Sequence, residues 1–310
     1  MGLDASALEA ATHGATAVMS ERCEPGRGRV GISATARWVA YARALESDRP
    51  DALFRDPFAR RLAGAEGASR WQQGFELGMI ARALAVRTAV MDEMIIERLR
   101  EDNVDLVLNL AAGLDTRAWR LPLPSTMRWI DVDGPELQEY KRSVMANERT
   151  ACQYESLHAD LNVPAQRDQV LARCAAAHRA LVVTEGWLVY LRAPQVTALA
   201  HALRGEKAVR SWLTDLAGPK ALELLQRVWG PLLGGARFEF APADSVEFFA
   251  RSGWREQTFR SSQQEARRLN RATRLPLLAR FAQFMAPAAV REEQRRLSGC
   301  ALLVRSDVTA

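Results

Sequence analysis

Residues 105–113 read DLVLNLAAG and residues 127–135 read MRWIDVDGP. Each is a short apolar run that stops at a turn of small or acidic residues. A strand buried on both faces has this pattern, because neither face needs the polar half of an alternating strand. Strand-like runs recur at 154–160, 179–183 and 208–216. Helical periodicity separates them, at 135–145, 166–177 and 194–203; the last carries Val196, Leu199, Ala200 and Leu203 at i, i+3, i+4, i+7. Strands alternating with helices predict an α/β fold, a doubly wound, mostly parallel sheet covered on both faces. Two further strands, 254–259 and 300–304, close the C-terminal part. Upstream, 33–100 reads as helical, and Asp56-Pro57 has the chemistry of a helix start. The expected organisation is a loosely ordered stretch over 1–30, a helical lid over 31–100, and a core over 101–310 with a helical insertion at about 218–250.

Composition sets the class. The 310 residues are 48% hydrophobic and 25% charged, an ordinary globular balance. No apolar run reaches the ~18 residues of a membrane span, and no basic-then-apolar leader opens the chain. The four cysteines, Cys23, Cys152, Cys174 and Cys300, lie far apart without a CxxC pair. This disfavours a disulfide framework or a zinc site and predicts a reduced, cytoplasmic protein. The net charge is +5, and only three of the 42 basic residues are lysines. Twelve arginines fall between Arg251 and Arg305. A solvated helical face explains them better than a nucleic-acid surface, because few aromatics alternate with them.

Right-handed crossovers leave the ligand crevice at the carboxyl ends of the strands. After the first strand stands Ala111-Ala112-Gly113-Leu114-Asp115-Thr116-Arg117, with one glycine rather than GxGxxG. A tight turn of any α/β protein fits it equally well. After the second stands Asp131-Val132-Asp133-Gly134-Pro135, and Asp133 lies twenty residues beyond Gly113. That is the spacing of a ribose-binding carboxylate in nucleotide-binding sheets. A helix N-cap, for one of the two aspartates, is the plainer alternative. A DxD metal site lacks a second acidic cluster. Asp160-Leu161 follows the third strand, suited to an adenine amine and ring face, and on spacing better suited to a helix cap. Glu185 follows the fourth, at the mouth of the crevice.

Arg87 is the most informative single residue. On a helix over 80–99 it falls within the apolar stripe of Ile80, Ala83, Leu84, Met91, Met94 and Ile95. A guanidinium there keeps its charge and needs an anion, either a structural carboxylate or one on a ligand. Arg98 shares the stripe nearer the helix end, where it is expected to reach water. One fixed cation and several carboxylates suit S-adenosyl-L-methionine, which offers a ribose diol, an ammonium and a carboxylate but no phosphate. A glycine-rich phosphate cradle is then unnecessary.

The string Asn109-Leu110-Ala111-Ala112-Gly113-Leu114-Asp115-Thr116-Arg117, followed by Trp119-Arg120-Leu121, resembles the leucine carboxyl methyltransferase family, in particular its bacterial polyketide O-methyltransferase-like branch. Arg87-Thr88 with Asp92, Asp131 to Pro135 with Lys141, and Glu185 with Val189-Tyr190-Leu191 extend the likeness. So do Thr35-Ala36, Arg43 to Glu46 and Leu53 to Ala59; the resemblance runs from about Ile32 to Trp254. It implies a seven-stranded, Rossmann-like class I methyltransferase that binds S-adenosyl-L-methionine. Carried over, Arg87 holds the methionine carboxylate, Gly113 lines the loop beneath the methionyl group, and Asp133 binds the ribose. Asp160 and Leu161 hold the adenine, and Glu185 faces the methionyl side. Ala111 replaces the family's usual first glycine; alanine fits such a turn at negative φ, with its methyl narrowing the loop.

Methyl transfer from a sulfonium mainly requires alignment of the acceptor, methyl and sulfur. A carboxylate acceptor needs no base, whereas a phenol benefits from one. None of His13, His158, His178 and His201 lies at a motif, which favours a carboxyl acceptor on a small molecule, such as a polyketide or other secondary metabolite. Tyr190 is a candidate for orienting it, against simple core packing. The acceptor pocket is expected between the N-terminal helices and the segment 218–250, which holds Trp229, Phe238, Phe240, Phe248 and Phe249. Neither a metal nor a nucleic-acid or membrane partner is expected. Two other readings stay open: a non-catalytic nucleoside-binding subunit on the same fold, and an NAD-dependent oxidoreductase, which the missing glycine fingerprint disfavours.

Overall fold

The computed structural model describes residues 32–69, 75–230, 237–272 and 287–306. The stretch expected to be loosely ordered, 1–30, lies outside them. Residues Gly31–Ala310 form one compact unit. The helices are α1 (Ile32–Ser47), α2 (Ala59–Ser69), α3 (Phe75–Glu101), α4 (Arg117–Arg120), α5 (Pro135–Val144), α6 (Pro164–Leu171), α7 (Ala193–Gly205), α8 (Pro219–Trp229), α9 (Ser245–Ala250), α10 (Ser262–Arg268) and α11 (Ala288–Arg295). The strands are β1 (Leu106–Leu110), β2 (Arg128–Asp133), β3 (Gln153–His158), β4 (Ala180–Thr184), β5 (Val209–Ala217), β6 (Trp254–Ser261) and β7 (Ser298–Arg305).

All seven strands join one sheet in the order β3-β2-β1-β4-β5-β7-β6. β7 alone runs opposite to the direction of the other six strands. Every residue of β1 and β4 is buried, as expected of their mainly apolar sequences, with Asn109 the polar exception inside β1. Side chains alternate across the sheet, so Val107, Leu181, Val183 and Leu213 face one side. There they pack with Val86, Val90, Met91, Met94 and Ile95 of α3. Leu108, Leu110, Ile130 and Val182 face the other side and pack with Val196, Leu199, Ala200 and Leu203 of α7. At roughly 1.5–3 kcal/mol per buried aliphatic side chain, these two layers are the main source of cohesion.

The local start signals hold. Asp56 Oδ1 accepts the N–H groups of Phe58 and Ala59 at 3.1 and 3.0 Å, which sets where α2 begins. The helix expected over 166–177 is α6 followed by a 3₁₀ turn over Ala172–Ala176. Two expectations about arginines are corrected. Arg98 does not reach water: it is 6% exposed, pairs with Asp102 and donates to Gln257. Gln257 of β6 and Asp102 hold Arg98 at the last turn of α3. Nor do the C-terminal arginines form a plain solvated face. Arg271 is buried against Glu46 of α1 at 2.6 Å, and Arg260 joins Glu93 of α3 to Glu265 at 2.5 and 2.8 Å. Arg296 pairs with Glu256 at 2.7 Å.

Candidate functional site

The sheet order reverses between β1 and β4, because the chain builds outward through β2 and β3 and then returns to the other side of β1. Ligand crevices open at such a switch point, beyond the carboxyl ends of the strands. The β1 loop, 111–116, and Glu185, just past β4, both stand there.

The loop is held by Asp133. Its Oδ2 accepts the Gly113 N–H at 2.7 Å and its Oδ1 the Gly134 N–H at 2.7 Å. Burial raises its pKa above the usual carboxylate range, against the pull of those amides. Gly134 is the cap residue of α5 and no side chain caps that helix, so neither aspartate serves as the expected N-cap. Asp131 is instead a buried hub. It accepts from Lys141 Nζ at 2.6 Å, Trp129 Nε1 at 2.8 Å, Asn109 Nδ2 at 3.0 Å and the Tyr154 hydroxyl at 3.0 Å.

From this hub a chain of polar contacts crosses the ends of the central strands. Asn109 also donates to Asp115 at 3.1 Å. Arg117 donates to Asp115 at 2.6 Å, to Asp92 of α3 at 2.7 Å and to Glu185 Oε2 at 2.7 Å. Glu185 Oε1 accepts from Arg87 Nε at 3.0 Å, and Arg87 Nη1 reaches Asp215 of β5 at 3.0 Å. Asp215 Oδ1 accepts the Gly186 N–H at 2.7 Å. Gly186 has φ +66°, and a Cβ there would lie 3.3 Å from Arg87 Nη1, so glycine serves both the turn and the close approach. Burial alone would raise the pKa of Glu185, but Arg117 and Arg87 overcome it and hold the carboxyl below its ordinary value. Likewise Arg87 titrates above its ordinary range: burial opposes, and Asp215 and Glu185 outweigh it. Arg117 Nη2 is buried with no hydrogen-bond partner among the described residues.

The sequence-predicted residues therefore divide. Arg87 and Glu185 touch each other, and Asp133 touches Gly113. Arg87 has found the structural carboxylates that its place on α3 demanded, with its side chain still 19% exposed. Asp160 is exposed and its Oδ1 accepts the Asn162 N–H at 2.9 Å, an Asx turn rather than a cap, since Val163 caps α6. Leu161 is buried beside Leu110, Val132 and Ala159. Ala111 overturns the expectation of a negative φ: it sits at +53°, the same left-handed region as Gly113. The loop turns left-handed at both positions and absorbs the steric cost of a Cβ at Ala111.

Asp215 was missed, because it stands inside β5 rather than beyond its end; only the register beside Glu185 brings it to the crevice. Tyr190 lies in a 3₁₀ turn and shares a hydrogen bond with Thr35 of α1, and burial raises its pKa. Its ring packs 5.0 Å from Phe238. Around Trp38, 4% exposed, these two join Ile80, Leu84, Leu225 and Val228 in one apolar cluster. It spans α1, α3 and α8, where the acceptor pocket was expected. Phe240, Phe248 and Phe249 instead pack in the main core with Trp212 and Trp254; the side chain of Trp229 lies outside the described residues. A separate cavity of about 280 Å³, lined by Met79, Arg82, Gln263, Arg271 and Gln294 among others, involves none of the charged residues of the crevice.

This sheet and this crevice define a class I methyltransferase. The leucine carboxyl methyltransferase family model matches residues 36–204, and the chain belongs to that family. A Streptomyces coelicolor protein named as an S-adenosyl-L-methionine-dependent methyltransferase is 33% identical over 241 residues, covering 72% of this chain and 83% of the relative. A Frankia alni protein of the same name is 29% identical over 261 residues, covering 77% and 86%. Two solved structures share the fold. A DUF574 family protein from Streptomyces avermitilis superposes with TM-score 0.52 at 10% identity, covering 87% of this chain and 97% of that one. A Thermobifida fusca protein described as a methyltransferase gives 0.51 at 14%, covering 90% and 95%.

Two outcomes are expected. Ala111→Gly relieves a left-handed alanine and stabilises the fold by up to ~1 kcal/mol in chemical denaturation, the steric gain exceeding the extra chain entropy of glycine; a lower midpoint would contradict the assigned backbone. Glu185 contributes stability that is fully present above its ordinary pKa of 4.5 and fades as pH falls through its lowered folded value. The denaturation gap between wild type and Glu185→Gln is accordingly largest near neutrality and shrinks below about pH 4. A gap that is flat with pH would exclude the charge of Glu185 as its source.

Proposed function

We propose that the protein is an O-methyltransferase that acts on a carboxyl group, or secondarily a phenolic hydroxyl, of a small molecule such as a polyketide or other secondary metabolite. S-adenosyl-L-methionine is its cofactor, and the donor set fits it. Arg87 would hold the α-carboxylate, Asp133 the ribose hydroxyls, and Glu185 would border the methionyl group. Asp160 would reach the adenine amine with the carboxylate oxygen not used by Asn162, and Leu161 would lie under the ring. Ala111 and Gly113, both left-handed, turn the β1 loop beneath them. The cofactor supplies a methyl group already activated on a sulfonium, with a neutral leaving group.

What remains for the chain is to bind, orient and exclude water. The observation that carries the reading is the charged chain Arg87–Glu185–Arg117 at the switch point, next to the apolar cluster of Trp38, Leu84, Tyr190 and Phe238. A flat apolar acceptor would lie against that cluster with its oxygen toward the charges. Burial raises the pKa of the Tyr190 hydroxyl above its ordinary 10, which suits it to donate a hydrogen bond to the acceptor. His158 contacts Arg142 at the end of β3, while His178 stands at the opposite, amino-terminal end of β4 and His201 is exposed on α7. None of these three belongs to the apolar cluster of Trp38, Tyr190 and Phe238 where the acceptor would lie, so a carboxylate acceptor, ionised without help, is favoured over a phenol.

Mass spectrometry of aromatic and aliphatic acids and of phenols, each incubated with protein and S-adenosyl-L-methionine, tests this. The expected product is an acid heavier by one methylene, formed faster than any aryl ether. Tight cofactor binding with no transfer to any acceptor would favour a non-catalytic nucleoside-binding subunit instead.

A further inference from the structure

The carboxylates at the crevice differ in how many cations they keep. Glu185 is shared between Arg87 and Arg117, at 3.0 and 2.7 Å. Asp115 and Asp92 are both held by Arg117, and Asp92 also by Arg120. Asp215, like Asp115, has one ion pair among the described residues, but its cation is Arg87, the one a ligand carboxylate would draw away. Once Arg87 turns to a ligand carboxylate, Glu185 still has Arg117, whereas Asp215 is left without a counter-charge. A half-buried carboxylate in that position requires a cation.

Asp215 is also the carboxylate best placed to accept one. The Gly186 N–H fixes its Oδ1 at 2.7 Å, independently of Arg87. Its side chain is 22% exposed, against 2% for Arg117, so a ligand atom can approach it. It lies on the side of the crevice where the Tyr190 hydroxyl senses both Arg87 and Asp215.

We propose that Asp215 is the ammonium-binding residue of this crevice, taking the α-ammonium of the methionyl group while Arg87 takes its α-carboxylate. The Arg87–Asp215 pair is then a resting-state surrogate for the zwitterion: each partner is exchanged for the ligand group of the same sign, and the site changes no net charge on binding. This rests on S-adenosyl-L-methionine being the cofactor.

Isothermal titration calorimetry of wild type and Asp215→Asn with three thioethers tests it. They are S-adenosylhomocysteine, its desamino analogue (carboxylate kept) and its decarboxy analogue (ammonium kept). Asparagine still accepts the Gly186 amide, and Asp215→Ser serves as a second variant of smaller volume if the first misfolds. The substitution is expected to weaken S-adenosylhomocysteine and the decarboxy analogue by about 10–100-fold, the range of a charge-assisted hydrogen bond. The desamino analogue should bind wild type and variant alike, or the variant more tightly, because Arg87 is released. Losses for S-adenosylhomocysteine and the desamino analogue, with the decarboxy analogue unaffected, would mean that Asp215 only positions Arg87, and would overturn the proposal, as would equal losses for all three. So would unchanged affinity for S-adenosylhomocysteine. Failure of wild type to bind S-adenosylhomocysteine at all is a separate outcome, and it would overturn the cofactor reading itself.

Discussion

A guanidinium buried in an apolar helix face cannot discard its proton, and the crevice is organised around that constraint. Arg87 projects from α3, the helix that covers β1, β4, β5 and β7. It is stable there only because β4 and β5 deliver Glu185 and Asp215 to the same point. Glu185 in turn needs Arg117, which needs Asp92 and Asp115. The charges are therefore mutually dependent, and each is expensive to bury without the others. Packing of α3 on the sheet and the geometry of the crevice are consequently one problem with one solution.

The same constraint selects the ligand. A phosphorylated coenzyme brings two or more negative charges to a place where Asp133, Glu185 and Asp215 already outnumber Arg87, the partly exposed cation among the described residues that line it. A zwitterionic thioether nucleoside brings one of each sign and a diol. The β1 loop has neither the glycine triplet nor the long helix that would cradle a pyrophosphate; α4 is a single turn, Arg117–Arg120. Its first residue is spent on Glu185, not on an anion.

Much of this was legible in the chain. The mainly apolar runs of β1 and β4 announced a two-sided sheet, and the strand-end rule located Asp133 and Glu185. The apolar stripe of α3 exposed Arg87 as an anomaly that required an anion. Three things were not legible, for physical reasons. Asp215 is hidden because register, not sequence position, brings an in-strand residue to the crevice. Asp131 looked interchangeable with Asp133, and the two share one face of β2, yet Asp131 lies deeper along the strand, where it meets Lys141, and Asp133 ends the strand beside Gly113. The left-handed Ala111 could not be foreseen, because residue type argues against that conformation and only the surrounding loop enforces it.

The central claim is that the crevice selects its ligand by charge. Calorimetric titration of the unmodified protein with S-adenosylhomocysteine and, separately, with NAD and ATP tests it most directly. Binding of the thioether with little or no heat from either phosphorylated nucleotide is the expected result. Equal or tighter binding of NAD or ATP at the same site would contradict it.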